Sequence, residues 1–187
     1  RRVLFRSQCE MGGKNPVIVC DDADLDLAVS GVYNGAFGST GQRCTATSRV
    51  IIQHAVADAF LERLLAQVNK MKIGNPLNAD TDMGPSVDAS QLKTVLDYID
   101  IGRNQGAELL CGGTRNISGD CANGFFVNPT IFDKVRTDMR IHNEEIFGPV
   151  LSIVRVESFD EAIEAANHSE FGLTSSIYTR DLTRTFR

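Results

Sequence analysis

The chain has no tryptophan, only three histidines, and no apolar run long enough to cross a bilayer. Each shortage removes a class of function. His54, His142 and His168 are scattered, with no helical His-Glu-x-x-His arrangement, so no metal site is expected and each takes a structural or surface role. The apolar stretches stop far short of the roughly 20 residues a spanning helix needs, so no membrane partner is expected. Basic residues are sparse too: Lys70 and Lys72 make only a small pair, and a formal net charge of −5 leaves no electrostatic footprint for nucleic acid. Neither Gly-x-Gly-x-x-Gly after a strand nor Gly-x-x-x-x-Gly-Lys-Ser/Thr occurs, so both common signatures of a phosphate-cradling turn are missing.

Five cysteines, an odd number, stand at Cys9, Cys20, Cys44, Cys111 and Cys121 with no Cys-x-x-Cys spacing. That excludes the usual zinc ribbon and argues against a disulfide framework, so a reduced, cytoplasmic setting is expected. Cys9, Cys20 and Cys111 adjoin apolar, strand-like residues and are expected to be buried thiols, whereas Cys121 lies in a turn-rich stretch and is expected at the surface. The length of 187 residues, with 42% hydrophobic and 23% charged residues, suits a globular α/β chain with a proper core. Residues 1–7, Arg1 to Ser7, break that pattern and read like a translated adaptor. They are set aside as a non-native leader, and the native reading starts near Gln8.

From there strand and helix patterns alternate. Val17 to Cys20 is a short apolar run, Asp21 to Asp24 offers helix caps, and Leu25 to Phe37 carries apolar residues at three- and four-residue steps until Gly38. Arg49 to Gln53 reads as strand, and Val56, Phe60, Leu64, Val68 and Met71 as the stripe of a second helix. A turn-rich connection from Gly74 to Pro85 precedes a third helix marked by Leu92, Val95, Leu96 and Ile99 and ending near Gly106. Glu108 to Cys111, Phe125 to Val127, Thr130 to Phe132, Val150 to Val156 and Leu173 to Tyr178 are strand-like, Glu161 to Asn167 is helical, and Asn123-Gly124 fits a turn between strands. Thr179 to Leu182 looks like a helix start. This alternation predicts a predominantly parallel sheet flanked by helices, with no second-domain boundary between residues 8 and 187.

Chemistry concentrates at Cys44, in Gly41-Gln42-Arg43-Cys44-Thr45-Ala46, and at Glu10, in Glu10-Met11-Gly12-Gly13-Lys14-Asn15-Pro16. A free thiol with a pKa of roughly 8.5 is only slightly ionised at neutral pH, yet its thiolate is a strong nucleophile toward a carbonyl carbon. A glutamate whose pKa is lifted by burial can deprotonate the water that later releases the product. Most lone cysteines are small buried hydrophobes and most glutamates are solvated charges. Here the small and polar residues Gly38 to Gln42 place the thiol at a helix exit, in a loop.

These two segments resemble the Glu-Leu-Gly-Gly-Lys and Gly-Gln-x-Cys motifs of the aldehyde dehydrogenase superfamily. Glu144-Glu145-Ile146-Phe147-Gly148-Pro149-Val150 is similar to its cofactor-contact motif, and Asn167 to Leu173 to its Asn-x-x-x-Tyr/Phe-Gly-Leu segment. The resemblance covers nearly everything from Gln8 to Arg187. It implies Cys44 as nucleophile, Glu10 as general base, and Glu145 with Phe147 beside the ribose and nicotinamide of NAD or NADP. It implies a small aldehyde as substrate, oxidised to a carboxylic acid, and a homo-oligomeric parent protein. Family members are much longer, so the chain reads as a catalytic-domain fragment truncated at both ends and inactive alone, with half its oxyanion hole on a preceding domain. The wording from Gly41 to Arg49 is most similar to dehydrogenases of acidic semialdehydes such as 2-oxoglutarate semialdehyde, where Arg43 would neutralise an acidic tail. A noncatalytic interaction or assembly module and a thiol redox sensor are the rival readings.

Overall fold

The computed structural model describes Arg6 and residues 8–186, so the leader expected over residues 1–7 lies, Arg6 apart, outside the described residues. In chain order the elements are β1 (Asn15–Val19), α1 (Leu25–Phe37), β2 (Thr47–Gln53), α2 (His54–Val68), α3 (Ala89–Asn104), β3 (Glu108–Cys111), β4 (Thr130–Asp133), α4 (Arg140–Asn143), β5 (Val150–Val156), α5 (Phe159–Asn167) and β6 (Ser176–Tyr178). Short 3₁₀ turns occupy Gly38–Gly41, Gly119–Asn123 and Leu182–Phe186.

The strands form one sheet in the order β3-β4-β5-β2-β1-β6, and every neighbouring pair is parallel except β3 with β4. Burial on both faces explains why the central strands read as unbroken β-branched runs. Val17, Val19, Val50, Ile52, Leu151 and Ile153 pack on one face against α1 and α2 through Val29, Val32, Phe60 and Leu64. Ile18, Ile51, Val150 and Val154 point the other way, onto Leu92, Val95 and Ile99 of α3 and Ala162 and Ala165 of α5. Each large apolar side chain so buried contributes about 1.5–3 kcal/mol, and the period-two alternation divides that gain between the two faces.

The helix signals operate as their chemistry requires. The Asp24 carboxylate caps α1 by accepting from the backbone N–H groups of Asp26 and Leu27, and Ser158 does the same for α5 through Glu161. The expected mostly parallel α/β sheet is what forms. Several local expectations do not hold. Met71 falls after the end of α2. Phe125 to Val127 is no strand, Val127 making one isolated bridge to Arg115. Gly124 ends a 3₁₀ turn rather than linking two strands. The expected helix start near Thr179 becomes the 3₁₀ turn at Leu182–Phe186. Cys9 is exposed, Cys111 only partly covered, and Cys121 buried, because the turn-rich stretch around Cys121 folds back and aligns its thiol with the Ile73 carbonyl.

Candidate active site

Three loops converge because the strands they feed are parallel neighbours. Residues 10–14 lead into β1, residues 38–46 into β2, and residues 144–149 into β5, so all three arrive at the amino-terminal edge of the sheet. Open α/β sheets generally bind ligands at the opposite, carboxyl edge. At this edge Glu10, Met11, Gly12, Gln42, Arg43, Cys44, Thr45, Glu145 and Phe147 surround one open cavity of about 670 Å³. The four residues singled out from sequence, Cys44, Glu10, Glu145 and Phe147, therefore share a single cleft.

The thiol loop is held in an unusual backbone conformation. Ser39, Thr40 and Gly41 have φ of 53°, 59° and 65°, three left-handed residues in succession. A side chain at Gly41 would collide with the Gly148 carbonyl, so glycine is required there by both φ and space. Such conformations cost of order 1–3 kcal/mol at non-glycine positions and persist only when neighbours impose them. The imposed contacts are visible: Thr40 Oγ1 donates to the Gly84 carbonyl, Gln42 Nε2 donates to the Pro85 carbonyl, and Gln42 Oε1 accepts from Val87 N–H. The Asn15 side-chain amide then donates to the carbonyls of both Cys44 and Ala46, at 2.8 and 2.9 Å, tying the thiol loop to the start of β1. Cys44 itself is exposed, and no acceptor among the described residues takes its backbone N–H.

Glu10 lies on the wall of the same cavity and is exposed, hydrogen-bonded to Gln8 Nε2 at 3.1 Å. The burial that would lift its pKa is not supplied by the described residues around it. Glu145 is seated more firmly. Its Oε1 accepts from Gly13 N–H at 2.9 Å, and its Oε2 lies in the space that a side chain at Gly12 would fill. The glycine pair is thus a carboxylate seat, which sequence spacing alone does not distinguish from a tight turn. Phe147, with φ of 56°, projects its ring partly into solvent. Arg43 is engaged elsewhere: its Nη2 donates to the Asn34 and Gly35 carbonyls at the end of α1, where a cation suits the helix dipole.

Behind the cleft lies a basic cluster that sequence reasoning ranked low. Arg49 is 1% exposed and spends its donors on the carbonyls of Lys14, Ala165 and Ala166, tying β1 to the end of α5. Its Nη1 also stands 3.2 Å from His142 Nε2. A guanidinium cannot accept, so Nε2 is the acceptor and Nδ1–H donates to Asn143 Oδ1. His142 is accordingly neutral: burial first, with the adjacent Arg49 and Lys14 charges, pushes its pKa down to about 4 against the hydrogen bond from Asn143. The one sequence signal for this cluster was a charged residue at the head of an otherwise apolar strand.

A family model described as the aldehyde dehydrogenase family matches residues 2–187. The chain belongs to the aldehyde dehydrogenase family. Among curated aldehyde dehydrogenases it is 50% identical over 177 residues to the alpha-ketoglutaric semialdehyde dehydrogenase of Bacillus subtilis, covering 95% of this chain and 36% of that protein. It is 48% identical over 178 residues to the betaine aldehyde dehydrogenase of Mesorhizobium japonicum, covering 95% and 37% of the two chains. Betaine aldehyde dehydrogenase from Staphylococcus aureus, solved in complex with NAD+, superposes with a TM-score of 0.93 at 39% identity, over 95% of this chain and 35% of that one. The 1-pyrroline-5-carboxylate dehydrogenase of Thermus, solved with bound NAD, gives a TM-score of 0.88 at 43% identity over 94% and 33%. The chain thus spans little more than a third of the length of these aldehyde dehydrogenases. Among the described residues no helix is long and apolar enough to cross a membrane, and no group of three metal-ligating side chains gathers.

Proposed function

We propose that this chain carries the thiol and hydrolytic half of an aldehyde dehydrogenase active site, working in a longer parent protein that oxidises an aldehyde to a carboxylic acid with NAD or NADP. The observation that supports it best is the convergence of Cys44, Glu10 and Glu145 on one cleft, each delivered by a different loop. The Cys44 thiolate adds to the aldehyde carbon, forming a thiohemiacetal, and its own free N–H is placed to stabilise the oxyanion. When bound, the nicotinamide supplies the hydride acceptor that converts this adduct to a thioester on Cys44. Glu145, already oriented by Gly13 N–H, accepts from ribose hydroxyls, and Phe147 offers a ring edge beside the cleft. Glu10 takes a proton from water, which attacks the thioester carbon and expels the thiolate, returning the enzyme to its starting state. The glycine seat fits a dinucleotide, because missing side chains allow close approach of ligand to backbone.

An acidic semialdehyde is the substrate class favoured by likeness to the Bacillus protein. Arg43 contributes less to that choice than its sequence position implies, since one of its nitrogens is committed to α1. We also propose that the isolated 187-residue chain does not turn over, because the second oxyanion donor and most of the cofactor pocket belong to other parts of the parent. The parent is proposed to be a homo-oligomer working in the cytoplasm.

Site labelling tests this reading. With an aldehyde-mimicking electrophile on the complete protein, Cys44 should modify far faster than Cys20 or Cys111, whose thiols burial pushes toward higher pKa. Equal labelling rates would remove Cys44 as nucleophile. Robust NAD(P)-linked turnover by the 187-residue chain alone would overturn the expectation that it is inactive.

A further inference from the structure

Lys14 follows the glycine seat directly, is 1% exposed, and is among the largest fully buried side chains of the described residues. Its Nζ has no hydrogen-bond partner there. A buried ammonium without a partner is expensive, so its retention calls for an electrostatic reason. The charged and titratable groups facing it come from three elements: Arg49 of β2, His142 of α4, and Glu144 and Glu145 of the loop before β5. Each has a commitment except one. Arg49 is saturated by carbonyls, His142 is neutral, and Glu144 is bound by Arg140 and Tyr98. Glu145 has only the Gly13 N–H on one oxygen, leaving Lys14 as its counter-charge.

We propose that Lys14 is a positioning residue for the cofactor-contact carboxylate: from behind Gly13 its buried amine holds Glu145 against the glycine seat, so that the second oxygen stays directed at the ribose. The inference rests on the reading of Glu145 given above. Loss of the Lys14 charge frees Glu145 to swing toward solvent, which weakens cofactor binding and leaves the thiol untouched. Burial, aided by Arg49 and opposed by Glu145 and Glu144, brings the amine's pKa down to about 7. Lys14 is therefore charged below neutrality and increasingly neutral above it, and cofactor affinity should fall as pH rises through that value.

The test uses the complete parent protein and NAD itself, with dissociation constants measured by calorimetry between about pH 6 and about pH 9. Lys14→Met, which keeps the aliphatic stem, should weaken NAD binding on the order of tenfold at low pH and flatten the pH dependence, a size suited to one close charge pair. In a Glu145→Ala background the same substitution should have little further effect, an outcome that a merely packing role for Lys14 would not produce. If Glu145→Ala leaves NAD affinity unchanged, the reading of Glu145 fails. If Glu145→Ala weakens binding but Lys14→Met does not, only the Lys14 inference fails. Should Lys14→Met not fold, the wild-type profile decides: a flat NAD affinity across this pH range overturns the proposal, and a decline through neutrality supports it.

Discussion

β2 and the loop before it are consecutive in the chain and opposite in character. Val50, Ile51 and Ile52 are fully buried in the middle of the sheet, while Cys44, a few residues upstream, is exposed at the sheet's edge behind three left-handed residues. The strand gains stability from both faces, and the loop expends some of it on backbone strain. The lesson is that a strained, solvent-facing thiol is affordable only because the next segment is anchored so deeply. The same contrast holds at β1 and β5, whose apolar cores follow immediately after Gly13 and Phe147.

Substitutions in the two regions should separate cleanly. Cys44→Ala in the complete protein should lower turnover by at least about 10³-fold with little change in the denaturation midpoint, checked by steady-state kinetics and urea unfolding. A large loss of stability instead would dissolve the distinction between loop and scaffold. Phe60→Ala, in the core against β2, should do the reverse, costing about 3–5 kcal/mol in urea unfolding and leaving the thiol's labelling rate unchanged in the folded fraction. Glu10→Gln should slow the steady state roughly a hundredfold yet preserve a pre-steady-state burst of reduced cofactor, because only hydrolysis needs the base. An unchanged steady rate would count against that role.

A pH measurement probes the scaffold side. In the folded chain His142 has a pKa of about 4, depressed from 6.5, so the unfolded chain binds more protons between those values. Stability should be fully present above about pH 6.5 and decline by roughly 2–3 kcal/mol as pH falls toward 4, and His142→Phe should remove most of that slope. The smallest effect belongs to a helix start: Asp24→Ala should cost about 1 kcal/mol in unfolding and nothing in thiol reactivity.

Much of the scaffold was legible because each central strand and helix carries its own signal. The two-faced burial of β2 reads as an uninterrupted apolar run, and the cap at Asp24 precedes a clear helical stripe. Phe125 to Val127 misled because an apolar run can be buried by a returning loop without joining a ladder, as the bridge to Arg115 shows. Cys121 was hidden for a related reason, since its cover comes from Ile73, far away in sequence. At the site, motif spacing identified the side chains that share the cleft, but not the backbone donor of Gly13, the carbonyls that saturate Arg49, or the absence of burial around Glu10. Those are long-range facts about which strands lie side by side.

Asn15 has a consequence for how the cleft can open. One side-chain amide grips the main chain on both sides of the thiol while its own backbone begins the strand that follows the Glu10 segment. Nucleophile and base-bearing segment are thereby riveted into a single mechanical unit. Room for an arriving aldehyde or a departing acid must come from movement of other walls, not from parting these two.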